Sequence, residues 1–172
     1  MFILFHIFVP LLCVEILLLI KKEKKPEIHI FWIIVGSIFP DLIDKPLFLI
    51  FGIAGGRGYF HTPLLLGIIS LILFLLTKNK NVASSFGIGT LFHLLLDIPA
   101  VPWLWPIVPI TIYESKIEDF FYTLFNNPLV YSTEIIGLIG LLWIGISKKI
   151  IFHHSIINWR QLQNYLFIPQ KH

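Results

Sequence analysis

Apolar residues in this chain come in long runs separated by short charged clusters, the pattern of membrane crossing. Met1 to Ile20 is almost wholly apolar and is followed by Lys21, Lys22, Lys24 and Lys25. About 20 such residues cross a bilayer, so this run predicts a first spanning helix. No basic segment precedes it and no small-residue cleavage site follows it, which argues against a removed leader. Ile28 to about Phe51 is a second candidate, in which Pro40 and Pro46 bracket Asp41 and Asp44; its spanning part is expected to end near Pro40. Gly52 to Gly58 reads as a loop. Pro63 to Thr77 predicts a third helix and Val82 to Ile98 a fourth. Pro99, Pro102, Pro106 and Pro109, with Trp103 and Trp105 among them, predict an interfacial loop. Glu114 to Asn127 is a polar stretch, and Leu129 to Ile146 predicts a last span that stops at Lys148 and Lys149.

The expected fold class is therefore all-α, a polytopic membrane helix bundle of about five spans. Residues 1–147 would form the membrane domain and 148–172 a basic interfacial tail. Composition agrees: the 172 residues are 56% hydrophobic and only 13% charged, with a mean hydropathy of +0.85. A soluble domain carries about 25% charged residues. The net charge of +3 sits in clusters beside apolar runs, which speaks of topology and against nucleic acid as a partner. Five crossings place Lys21, Lys22, Lys24, Lys25, Lys78, Lys80, Lys148, Lys149, Arg160 and Lys171 on one face, with only Lys45, Arg57 and Lys116 opposite. The positive-inside bias then puts the N-terminus outside and the C-terminus in the cytoplasm of an inner membrane.

That orientation carries a second expectation. His6, Asp41, Asp44, His61, His93, Asp97 and Glu134 all fall toward the extracytoplasmic side, on different helices. An ionised carboxylate inside a bilayer costs about 2.5–3.5 kcal/mol, so several in one layer call for a compensating charge. Asp41 with Asp44, and His93 with Asp97, are spaced for one helix face. Imidazole with carboxylate oxygen suits Zn²⁺, Mn²⁺ or Fe²⁺ and not Ca²⁺, and six candidate ligands suffice for one ion or two. The single Cys13 excludes a Cys-based zinc site. Arg57, in a Gly-flanked loop, would offer its fork to a phosphate or carboxylate. Ser132, Thr133 and Glu134 also fit a plain helix start, and Glu15 is expected to snorkel toward the lysines. His29, His153, His154 and His172 read as interfacial.

The pieces Phe5-His6, the run from Gly36 to Pro46, Gly56-Arg57-Gly58-Tyr59-Phe60-His61-Thr62, His93-Leu94-Leu95-Leu96-Asp97 and Trp105-Pro106 occur in that order. Together they resemble the predicted membrane-bound metal-dependent hydrolases, small multi-pass proteins that include an SOS-regulated bacterial inner-membrane member. The likeness covers Met1 to about Pro109 and leaves Glu134 outside it. It implies that Asp41, Asp44, His61, His93 and Asp97 are metal-site residues, with His6 matching an N-terminal His, and it implies hydrolysis. Thr62 stands where many members have Ser, so the hydroxyl is kept.

The first functional expectation is a metal-dependent hydrolase of a lipid-linked or headgroup phosphoester, using a metal-activated water, with Asp44 or Asp97 as proton acceptor. Membrane lipid is then the partner, and the oligomeric state stays open. A metal or proton transporter is the alternative, but it needs polar residues in both halves of the bilayer. The cytoplasmic half offers mainly Glu15, Ser84 and Ser85. A structural membrane protein with a polar or metal cluster is the third reading.

Overall fold

Apolar runs without competing turn chemistry satisfy their backbone groups internally only as helices, and the computed structural model is helical throughout its regular elements. It describes residues 3–20, 27–52, 56–110, 117–148, 163–164 and 166–167. Among these there is no strand, and the chain order is α1 (Ile3–Ile20), α2 (Ile30–Phe51), a 3₁₀ turn (Tyr59–His61), α3 (Pro63–Thr77), α4 (Lys80–Leu96), α5 (Ile117–Asn126) and α6 (Pro128–Ser147). Two of them, α1 and α6, are long and apolar enough to cross a membrane, and α3 is a shorter apolar helix. The lysine cluster at 21–25, the pair His153 and His154, His172 and most of the tail expected at 148–172 lie outside the described residues. Within the tail, Leu166 packs on the core and the Phe167 ring lies 4.9 Å from that of Phe31.

Several boundaries follow local chemistry. Thr62 caps α3, its hydroxyl accepting from Leu65 N–H at 3.3 Å, and Pro63 takes the first position, where the absent N–H costs nothing. Asn79 and Asn127 cap α4 and α6 in the same way, accepting from Val82 and Asn81 N–H and from Leu129 N–H respectively. Two helices run where proline or polarity weighs against them. Helix α2 runs 22 residues straight through Pro40 and Pro46 and ends at Gly52, which takes the left-handed conformation at φ 68°. A proline removes one helical hydrogen bond, a loss that close packing of neighbouring helices offsets. The polar stretch from Glu114 to Asn127 contains α5, whose Phe121, Tyr122 and Phe125 are exposed.

The bundle has two glycine-mediated helix contacts. A Cβ on Gly36 would lie 2.2 Å from the Phe86 carbonyl oxygen, and one on Gly89 only 2.3 Å from that of Ile33, so α2 and α4 touch backbone to backbone. Gly137 of α6 meets the backbone of Leu4 and Phe5 in α1 in the same manner. Small residues are the usual device for close helix packing where no hydrophobic force sorts helices from lipid. Leu11, Val14, Leu18, Ile28, Ile30, Ile33 and Ile144 form one apolar cluster, while Leu66, Leu94 and Val101 form a second. Glu15 pairs with Lys148 at 2.6 Å, and His29 is buried with its N–H donating to Ser85 Oγ at 3.0 Å. It thus packs where the start of α2 meets α4.

Candidate metal centre

Where α2 passes α4, their polar residues face one another, and the loop before α3 closes over them. Asp41 and Asp44 come from the second half of α2, His93 from the last turn of α4, Asp97 from its C-cap, and His61 from the 3₁₀ turn. All five are buried, as is His6 from the start of α1. The loop is stitched down at Gly58, whose N–H donates to Asp44 Oδ2 at 2.9 Å. Gly56, at φ 81°, takes the turn that a side chain would strain.

Two histidines are fixed by their outward nitrogens. His61 Nδ1 lies 2.7 Å from Asp44 Oδ2, and His93 Nδ1 lies 2.6 Å from the Ser37 carbonyl oxygen. Both partners accept from Nδ1–H, so each ring, when neutral, turns a bare Nε2 inward. The two Nε2 atoms sit 3.2 Å apart. Beside them are Asp41 Oδ1, at 3.4 Å from His61 Nε2 and 3.9 Å from His93 Nε2, and Asp97 Oδ2, at 3.7 and 3.9 Å. Four acceptor atoms thus converge, all within 4.8 Å of one another, and a positive charge is what such a set needs. Two imidazole nitrogens and two carboxylate oxygens at these spacings are the donor set that would hold a divalent ion. Asp41, His61, His93 and Asp97 therefore fit a divalent ion.

A shell of charges surrounds the four. Lys45 Nζ holds Asp41 Oδ2 at 2.5 Å, one helical turn on, and Arg57 Nε donates to Asp97 Oδ2 at 2.8 Å. His6 Nε2 lies 3.4 Å from Asp97 Oδ1, and its ring stacks on that of His93 with centroids 4.3 Å apart. His61, between the helices, feels the same field. Burial opposes its charged form, but hydrogen bonds and attraction from Asp41 and Asp44 prevail and raise its pKa above the ordinary 6.5.

All six residues singled out as ligands are brought together, but not in equal roles. Asp44 orients His61 and Gly58, and His6 touches Asp97; neither belongs to the convergent four. Thr62 uses its hydroxyl on Tyr59 O and Leu65 N, as a helix cap. Glu134 stands apart from the cluster, on the amides of Leu4 and Phe5. Lys45 went unassigned, although its i,i+4 spacing from Asp41 was a signal for the pair. Ser37 acts through a backbone carbonyl, for which side-chain identity is no guide.

Comparison with curated proteins and with solved structures gave no match. A family of membrane proteins does match, over residues 1–159, which takes in α1 to α6 and the whole buried cluster. An apolar helical chain carrying a His/Asp cluster of this kind therefore belongs to the YdjM inner membrane protein family.

Proposed function

We propose that the chain is a membrane-embedded, metal-dependent hydrolase whose site holds one divalent ion, zinc, manganese or iron, on Asp41, His61, His93 and Asp97. The observation that carries this reading is the pair of inward lone pairs, His61 Nε2 and His93 Nε2, each enforced by an acceptor on the opposite ring nitrogen. Carboxylate or carbonyl partners of this kind set the tautomer of metal-bound histidine. When bound, such an ion supplies Lewis acidity and lowers the pKa of water.

The residues around it divide the remaining work. Asp44 is engaged by His61 Nδ1–H and Gly58 N–H, so it orients and does not act as base. Asp97 holds Arg57 on Oδ2 and faces His6 with Oδ1, so its carboxylate would be shared between the ion and these two groups. Three carboxylates against Lys45 and Arg57 leave one net negative charge, and a divalent ion turns it into one positive. An anionic substrate, a lipid-linked or headgroup phosphoester, matches that balance. Arg57 is 41% exposed and can reach it with the guanidinium donors beyond Nε. The exposed residues Tyr59, Trp103 and Leu104 lie on the segments flanking the site, with the Tyr59 and Trp105 rings 5.8 Å apart, a surface suited to acyl chains. Five spans, an outside N-terminus and a site opening to the outer leaflet complete the proposal.

Elemental analysis of detergent-purified protein tests it, comparing wild type with an Asp41→Asn, His93→Ala double variant and with His153→Ala. One equivalent of metal in wild type and His153→Ala, absent from the double variant, is expected, together with metal-dependent phosphate or headgroup release from phospholipid vesicles. Equal metal content in all three sinks the site; metal without hydrolysis of any phosphoester lipid sinks the reaction. A reporter fused after Lys149 should read cytoplasm, and an extracytoplasmic signal overturns the orientation.

A further inference from the structure

The first amides of any α-helix have no partner within the helix. In α1 they are met from the far end of the sequence. Glu134, in the second turn of α6, takes Leu4 N–H on Oε2 at 3.2 Å and Phe5 N–H on Oε1 at 3.4 Å. One turn along, Gly137 brings the backbones together, since a Cβ there would lie 2.6 Å from Phe5 N and 2.7 Å from Leu4 C. A carboxylate at a helix N-terminus also gains from the helix dipole, so charge and hydrogen bonding act in the same direction. The first turn of α1 is thereby clamped to α6 through backbone atoms, which leave far less play than side-chain packing.

His6 is the next residue after the clamped amides. It is 1% exposed, its Nε2 faces Asp97 Oδ1 at 3.4 Å, and its ring lies on His93. No other residue on α1 faces the four convergent acceptors among the contacts described. The height of His6 over Asp97 therefore depends on how the start of α1 sits on α6. We infer that Glu134 is a positioning residue for the centre: by capping α1 in trans it holds His6 against Asp97 and so fixes the carboxylate that faces His61 and Arg57. The inference rests on the metal reading only where ion affinity is the readout.

The test is a double-mutant cycle on Zn²⁺ affinity in detergent, measured by competition with a chelator, using Glu134→Gln and His6→Gln, both near-isosteric. Outer-shell partners of metal ligands are typically worth about 10–100-fold in affinity. Glu134 acts one contact further out, so Glu134→Gln should weaken zinc about 3–10-fold, and Glu134→Ala more, because Gln keeps one carbonyl acceptor for the amides. In the His6→Gln background the same change should cost less than about 2-fold. Equal losses in both backgrounds overturn the inference and reduce Glu134 to a general clamp. A second readout needs no metal: the ¹⁵N signals of the His6 ring should move in Glu134→Ala and return toward wild type in Glu134→Gln. If wild type binds no zinc, the metal reading falls, and this signal alone decides the role of Glu134; an unmoved His6 signal refutes it.

Discussion

The α2–α4 and α1–α6 pairs are built alike and used differently. Each brings two backbones together at glycine, Gly36 and Gly89 in the first pair and Gly137 in the second. Each also carries a polar bridge near the glycine contact, His93 Nδ1 to Ser37 O in one and Glu134 to Leu4 and Phe5 N–H in the other. In α2–α4 the bridge is itself part of the centre, since it fixes which nitrogen of His93 faces Asp41 and His61. In α1–α6 the bridge fixes a helix end, and only His6 reaches the centre, through Asp97. A shift in the first pair thus displaces candidate ligands directly, whereas a shift in the second reaches them at one remove. Close glycine packing serves in both cases because a buried hydrogen bond to a backbone group tolerates little change in distance.

The sharpest way to break this comparison is to add a methyl group on each side. Gly89→Ala meets the Ile33 carbonyl at 2.3 Å and Ser37 N at 2.8 Å, both backbone, so the helices must separate where Ser37 holds His93. The expected cost is about 3 kcal/mol, the upper part of the overpacking range, with loss of metal; unchanged thermal stability in detergent would show that α2 and α4 are not in this contact. Next in size is Asp44→Asn, which removes charge from the partner of His61 Nδ1 while leaving all four convergent acceptors in place. Metal affinity should fall about 10–100-fold at unchanged stoichiometry; loss of a whole equivalent would instead make Asp44 a ligand.

Acidity probes the same pair from another side. Binding of an ion requires neutral His61, and the pKa of that residue is raised by Asp41 and Asp44, so protons compete already above pH 6.5. Zinc affinity should therefore weaken by about tenfold per pH unit below that raised value for this one proton, and Asp44→Asn should move the onset to lower pH. A flat profile between pH 6 and 8 would contradict the assignment of His61. The smallest effect is expected from Gly140→Ala. The three atoms nearest its Cβ all belong to the Phe8 ring, the first at 2.2 Å, and a ring can turn aside where a carbonyl cannot. A cost of about 1 kcal/mol, at the low end for overpacking, with metal content unchanged, would complete the contrast with Gly89→Ala.

How much of this was legible beforehand depends on the range of the interactions involved. The helices over 63–77 and 128–147 were readable because apolar runs, Pro at the first position and a Thr or Asn cap are all local signals. The course of α2 beyond Pro40 was not, because proline weighs against a helix locally and only neighbouring helices offset it. Short α5 was hidden in a polar stretch for a similar reason, its length being too small for its periodicity to stand out.

The residues of the centre tell the same story at longer range. Sequence alone determined that histidines and aspartates would have to meet, since lone charged groups in an apolar chain are costly. It also marked two pairs spaced for one helix face, Asp41 with Asp44 and His93 with Asp97, but not the ion pair of Asp41 with Lys45. What only the tertiary structure decided is the division of labour. That Asp44 orients while Asp41 and Asp97 converge, that a carbonyl of Ser37 selects the tautomer of His93, and that Glu134 serves α1 across 130 residues are matters of a few tenths of an ångström between different helices. Hydropathy carries no such information, because it reports how deep a residue lies and not which atom it faces.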